Sequence, residues 1–156
     1  MRGRPAPKKI IENDPIYKSR LITRIVNYVM ESGKKNVAEK NVYKALDKIK
    51  DMKKVENPLA VLEEAFKNVM PKMEVRSRRV GGANYQVPTP LKHDRAQALA
   101  IRWIVNAARK AKGKPLHQSL TQIIIDSSEN RGEAVKKKED THRMAEANKA
   151  FAHFKW

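Results

Sequence analysis

Apolar residues recur three and four positions apart over most of the chain, which is the spacing of one face of an α-helix. The pattern predicts six helices, each turning one apolar stripe towards a shared core. The fourth is the longest and most apolar, so we expect it at the centre of the fold. The predicted helices cover about residues 17–31, 36–51, 58–70, 95–112, 116–129 and 133–150.

Local signals mark three of the helix starts. Asp14-Pro15 precedes the first helix as a start signal. Asn36 and Glu39 have the spacing of a capping box for the second helix. Asn57, followed by a proline, is a cap for the third. The predicted core face of the second helix consists of Val37, Val42, Ala45, Leu46 and Ile49.

One stretch, residues 73–90, breaks the helical period. β-branched and aromatic residues flank the dipeptide Gly81-Gly82, and this pattern predicts a β-hairpin because glycine accepts positive φ freely. Pro88 and Pro90 are expected to end the second arm, since neither can donate a ladder hydrogen bond. The predicted fold is mainly α: one domain over residues 1–156, with six helices, a protruding two-stranded hairpin arm and a basic N-terminal extension at residues 1–13.

The formal net charge of +17 and a pI near 10.2 narrow the choice of partner. Such self-repulsion is relieved by a polyanion, with nucleic acid the first candidate and an anionic membrane surface the second. The absence of cysteine excludes disulfides and thiolate metal sites. No apolar run is long enough to span a bilayer, and no signal peptide is evident, so we expect a soluble cytosolic protein without a membrane partner.

The hairpin is the first candidate binding element. Arg76, Arg78 and Arg79 lie close together on its first arm, where only Glu74 opposes them. Guanidinium groups match phosphate oxygens in a bidentate way and stack on bases, and a lone hairpin is marginal in water, so a nucleic-acid partner is favoured. A solvated surface hairpin is the alternative.

Other basic segments carry weaker signals, each with a structural alternative. The N-terminal extension is expected to lie along phosphates, although it could serve only solubility. An arginine row at spacing seven on the fourth helix could bind phosphate or form a charged stripe, and the lysines of the second helix could do either. Aromatic residues among cations near the C-terminus suit RNA stacking, a partner's groove, or folding back as a terminal staple. The residues are Arg2, Arg4, Lys8 and Lys9; Arg95, Arg102 and Arg109; and Phe151, Phe154, Lys155 and Trp156.

Nothing in the sequence indicates an active site. His93, His117, His142 and His153 have no metal-ligand spacing. No serine lies in a nucleophile-elbow motif, and there is no cysteine nucleophile. We therefore expect a protein that is not an enzyme and has no cofactor, bound metal or small-molecule substrate.

Three stretches together resemble one family. SRRVGGANYQVP at residues 77–88 is similar to the hairpin arm of the seventh protein of the small ribosomal subunit, and ALAIRWIVNAAR at residues 98–109 resembles the helix after that arm. HRMAEANKAFAHFKW at residues 142–156 resembles the bacterial C-terminal region of the same family. The order and spacing fit over the whole chain, and the combination is highly specific.

The resemblance implies a structural protein of the small ribosomal subunit in the cytoplasm. Its partners would be the 3′ major domain of the ribosomal RNA, whose head assembly it nucleates, the exit-site transfer RNA, and neighbouring head and platform proteins. The residues expected to contact ribosomal RNA are Arg2, Arg4, Lys8, Lys9, Lys34, Lys35, Arg76, Arg78, Arg79, Lys92, Arg95, Arg102 and Arg109. Those expected near the transfer RNA are Gly81, Gly82, Asn84, Tyr85 and Arg143. Those expected against a partner protein or RNA are Phe151, Phe154, Lys155 and Trp156.

Two other classes remain as rivals. A helical body with a basic β-arm also suits a DNA-compacting protein, although the hairpin tip has no apolar wedge to insert between base steps. An RNA-modifying enzyme is a more distant alternative, because no catalytic constellation is present.

Overall fold

A computed structural model describes Gly3 and residues 10–154, so the predictions for Arg2, Arg4, Lys8, Lys9, Lys155 and Trp156 lie outside the described residues. The described part of the chain is mainly helical with one two-stranded antiparallel sheet, which confirms the predicted fold class. A 3₁₀ helix, Lys149–Phe154, follows the last α-helix. The elements in chain order are α1 (Arg20–Val29), α2 (Lys35–Lys53), α3 (Pro58–Val69), β1 (Met73–Val80), β2 (Ala83–Pro90), α4 (His93–Lys110), α5 (Leu116–Ser128) and α6 (Glu133–Ala147).

The helices share one hydrophobic core. Each of the first five contributes a large side chain that is at most 2% exposed: Ile22, Leu46, Leu62, Ile104 and Ile124. The helix α4 packs against α1, α3, α5 and α6, as its apolar circumference predicts. The helix α5 is equally central, because it contacts α2, α3, α4 and α6. The hairpin enters and leaves this body between α3 and α4.

The start of α1 differs from the prediction. Ser19 caps the helix, and its Oγ accepts a hydrogen bond from the backbone N–H of Leu21 at 3.3 Å. Asp14 instead closes a turn ahead of the helix, where its Oδ2 accepts from the N–H groups of Ile16 and Tyr17 at 3.1 and 2.9 Å. Asp14 and Ser19 are both good caps, and the carboxylate of Asp14 is used in the preceding turn.

The predicted capping box of α2 is wrong. The helix begins at Lys35, so Asn36 lies inside its first turn, and no side chain caps the start. The prediction that Val37 faces the core is also wrong, since Val37 is 56% exposed while its neighbour Ala38 is buried. The cap of α3 is confirmed, with Oδ1 of Asn57 accepting from the N–H of Leu59 at 3.0 Å.

The hairpin has the predicted two-residue turn. Gly81 and Gly82 have φ angles of 57° and 90°, which side-chain-bearing residues rarely adopt together. The strand β2 runs through both prolines, with Pro88 opposite Val75 and the last pair at Pro90. Counted from the turn, both prolines occupy non-hydrogen-bonded positions, where a missing N–H removes no ladder bond.

The body of the protein supports the base of the hairpin. Val87 is fully buried, Pro88 is buried beside it, and the strands contact α6 and the 3₁₀ helix. The tip, from Gly81 to Asn84, is exposed. The expectation that a polyanion must supply the arm's stability was therefore too narrow, because intramolecular packing already stabilises its base.

Candidate nucleic-acid interface

A basic cleft of about 450 Å³ lies where the hairpin meets α4. Arg76 and Arg78 reach it from β1, because alternate residues of a strand share a face. Lys92 and Arg95 reach it from the start of α4, since only two residues connect that helix to β2. The structure thus brings together four of the residues predicted to contact ribosomal RNA.

One carboxylate, that of Glu74, organises the cleft. The residue is 8% exposed on β1. Its Oε1 accepts hydrogen bonds from Nε and Nη2 of Arg76 at 2.6 and 2.5 Å. Its Oε2 accepts from Nε and Nη2 of Arg95, both at 3.3 Å. The guanidinium groups of a strand and a helix are therefore fixed to the same acid, while both arginine side chains stay about half exposed or more, at 60% and 49%.

The arginine row on α4 does not act as a unit. Arg95 belongs to the cleft, whereas Nη2 of Arg109 donates to the backbone carbonyls of Tyr28 and Val29, both at 3.3 Å. Nη2 of Arg109 also lies 2.9 Å from a carboxylate oxygen of Glu31. Arg109 thus satisfies carbonyls at the end of α1, as cations often do at helix C-termini. Arg102 is exposed and pairs with no acid among the described residues.

A second basic cleft, of about 440 Å³, lies at the connection between α1 and α2. Lys34 lines it together with Arg109, Lys114 and the exposed Val37. Lys35 is exposed and lies 3.6 Å from Glu39 on α2. Sequence analysis missed Lys114, whose only local signal is its position in the break before α5.

The C-terminal aromatic residues fold back on the arm. The ring centroids of Phe151 and Phe154 lie 5.2 and 5.0 Å from that of Tyr85 on β2. The two phenylalanine rings are nearly parallel, at an interplanar angle of 13°. His153, beside them, is exposed. Of the alternatives for Phe151 and Phe154, the terminal staple is therefore the arrangement present in the structure.

The other predicted residues are spread over the arm and α6. Arg79 is exposed and pairs across the strands with Asn84, near the glycine turn. Arg143 is exposed on α6, with Nη2 at 3.9 Å from Asp140. The turn and the end of α6 therefore present separate polar surfaces on either side of the aromatic contact.

Two histidines lie close to lysines. Burial lowers the pKa of His117, and Lys48 and Lys44 on α2 add to that effect. Burial also lowers the pKa of His142, with Lys138 and Lys72 contributing. Among residues 10–154, no cluster of His, Asp or Glu side chains is arranged to hold a metal ion. None of the helices described is long and apolar enough to cross a membrane.

The fold and the clefts define a basic helical protein with a β-hairpin arm. The family model for "Ribosomal protein S7p/S5e" matches residues 1–149. The chain is 56% identical to the small ribosomal subunit protein uS7 of Carboxydothermus hydrogenoformans, covering 99% of both chains. It is 56% identical to that of Pelotomaculum thermopropionicum, covering 96% of both, and 51% identical to that of Mycoplasma pneumoniae over the full length of both. The chain therefore belongs to the ribosomal protein S7p/S5e family, a family of structural proteins, which confirms the resemblance and the expectation that it is not an enzyme.

Proposed function

We propose that the protein is a structural constituent of the small ribosomal subunit in the cytoplasm, where it binds ribosomal RNA and neighbouring proteins. The RNA target is the 3′ major domain, and binding nucleates assembly of the subunit head. Family membership supports the ribosomal role. The basic cleft between β1 and α4 is the observation that best supports RNA as the ligand.

The cleft suits a phosphate backbone more than a small molecule. Its charged lining consists of three arginines and one lysine, drawn from two elements. Arginine forks bind phosphate oxygens in a bidentate way, and each neutralised phosphate releases counterions, which favours binding. The cleft at Lys34 and Lys114 is a second cationic surface, built from different helices. Two such surfaces on one rigid body can fix the orientation of two converging RNA helices.

The tip of the arm suits a contact with a second RNA, which we assign to the exit-site transfer RNA. Gly81, Gly82 and Asn84 are exposed, and Arg79 lies beside them on β1. Backbone at a glycine turn can approach a phosphate or sugar closely because no side chain intervenes. Tyr85 is held by the C-terminal aromatic residues, and Arg143 adds a cation on α6.

The experiment that tests the proposal compares two double variants with equal loss of charge. R78A/K92A removes two cleft cations, whereas K136A/K137A removes two exposed lysines from α6. We expect the cleft variant to bind a fragment of the 3′ major domain at least tenfold more weakly, and to show a salt dependence shallower by about two phosphate contacts. The α6 variant should stay within about threefold of wild type.

Specificity is tested in the same assay with duplex DNA and an unrelated folded RNA. A preference for the ribosomal fragment that survives moderate salt supports reading of RNA shape. Equal binding to all three ligands, lost together as salt rises, would overturn the ribosomal-RNA assignment and favour an architectural DNA-binding protein. Equal effects of the two double variants would remove the cleft from the binding surface.

A further inference from the structure

Glu74 is an unusual residue for this surface. The chain has 34 basic and 17 acidic residues, and most of its described acids are exposed. Glu74 and Asp14 are the only acidic residues that are buried within the described part of the chain. Of these two, Glu74 lies at the wall of the most arginine-rich cleft. An acid at that position lowers the positive potential of a site that is expected to attract phosphate.

The geometry gives this acid a different role. Each carboxylate oxygen of Glu74 serves a different guanidinium, Arg76 through Oε1 and Arg95 through Oε2. Both arginines use the same edge, Nε and Nη2, to make these bonds. The Nη1 group of each arginine is not part of the contact. Two forks from different elements are thus held by one edge with the opposite edge left for a ligand.

We propose that Glu74 is a positioning residue that holds Arg76 and Arg95 as a clamp for one phosphate of the RNA backbone. The inference rests on the proposed RNA-binding function and names how the cleft achieves it. A free arginine loses side-chain entropy when it is fixed on a ligand. Arginines already fixed by Glu74 have lost that entropy on folding, so less is lost on binding.

The two possible roles of Glu74 predict effects of opposite sign. If charge alone matters, replacing Glu74 with glutamine adds one positive charge and strengthens RNA binding. If Glu74 positions the arginines, the same change weakens binding, because a neutral amide cannot accept charge-assisted bonds from both guanidinium groups. Glu63, exposed on α3, provides a control with the same change of charge outside the cleft.

The experiment measures the affinity of E74Q and E63Q for the 3′ major domain fragment at several salt concentrations. We expect E63Q to bind as tightly as wild type or more tightly, and E74Q to bind about tenfold more weakly than E63Q. Equal or tighter binding by E74Q would overturn the clamp. The proposed function is judged separately, by the preference of wild type for the ribosomal fragment over an unrelated RNA.

A second variant covers the case in which E74Q loosens the attachment of the hairpin to α4. R95K keeps the charge and the ion pair with Glu74 but replaces the fork with a single ammonium group. If Glu74 and Arg95 only tie the hairpin to the helix, R95K retains RNA affinity, and this outcome also overturns the clamp. We expect R95K to lose about fivefold in affinity with an unchanged circular dichroism spectrum, because the fork itself binds the phosphate.

Discussion

The ring of Tyr85, near the end of the hairpin, lies 5.0 Å from the ring of Phe154 in the 3₁₀ helix. Phe151 joins the same cluster, and all three side chains are half-buried. Aromatic pairs of this kind contribute about 0.5–1.5 kcal/mol each beyond the area they bury. The C-terminal segment therefore holds the outer half of the arm, while α6 supports its base.

Removing the ring of Tyr85 should release that segment. We expect Y85A to raise the hydrogen exchange rates of the amides in Lys149–Phe154 by about tenfold or more, because both ring contacts are lost. The variant Y85F keeps the ring and should exchange like wild type. Unchanged exchange in Y85A would mean that the aromatic contacts contribute little to the attachment.

The hydroxyl of Tyr43 should stabilise the body through a buried acid. It donates to Oδ1 of Asp14 at 2.5 Å, and Asp14 is only 4% exposed. Burial, followed by this hydrogen bond, raises the pKa of Tyr43 well above its usual value of 10.0. We expect Y43F to lower the free energy of unfolding by about 1–3 kcal/mol in urea titrations, because a buried carboxylate loses a donor.

Tyr28 supplies the control for that measurement. It is also half-buried against the core, but its hydroxyl makes no hydrogen bond with a described residue. The variant Y28F should therefore change the free energy of unfolding by less than about 0.5 kcal/mol. Equal losses in the two variants would contradict a special role for the bond to Asp14.

Stability should fall in mild acid partly because of His142. Its Nε2 lies 3.0 Å from the backbone N–H of Lys72, which only an unprotonated Nε2 can accept. Burial, Lys138 and Lys72 lower the pKa of His142 below the usual 6.5. The folded protein therefore binds fewer protons than the unfolded chain in this range, so stability is full above about pH 6.5 and declines as the pH falls through the lowered value.

Urea titrations at several pH values between 7.5 and 5 measure this decline. We expect H142Q to show a smaller loss of stability over that range than wild type does. The pKa of His117 is lowered as well, so H117Q/H142Q should flatten the dependence further. An unchanged dependence in both variants would show that other groups control it.

Arg102 and Arg109 should have different effects although they share a helix face. We expect R109A to lower the free energy of unfolding by about 1–2 kcal/mol, because carbonyls at the end of α1 lose their donor. R102A should change it by less than about 0.5 kcal/mol, since the side chain is exposed. Thermal unfolding of both proteins checks the contrast, and similar melting temperatures would refute it.

Local chemistry in the sequence was enough to predict the hairpin and the cap of α3. Two consecutive glycines between β-branched residues have few other uses, and Asn57 acts within its own turn. The start of α1 was wrong because Asp14 and Ser19 are both competent caps, and local preference does not choose between them. The position of Val37 was wrong because exposure depends on how α2 is rotated against its neighbours.

The arrangement of the candidate site depends on contacts between distant residues. Sequence analysis selected Arg76 and Arg95 by their charge, but Glu74 and Arg95 are 21 residues apart and meet only in the folded chain. The bond between Tyr43 and Asp14 spans 29 residues. Periodicity gives the face of each element, whereas the pairing of faces follows from packing the whole core. The clamp was therefore beyond sequence reasoning.

The register of the hairpin has a consequence for the timing of folding. Every pair, from Val80 with Ala83 to Met73 with Pro90, joins residues that are close in the chain. Such an arm closes from its turn over microseconds and needs no preformed body, whereas Glu74 reaches Arg95 only when α4 is docked. The arm is therefore a cooperative unit of low contact order, able to open and re-form while the helical core stays intact.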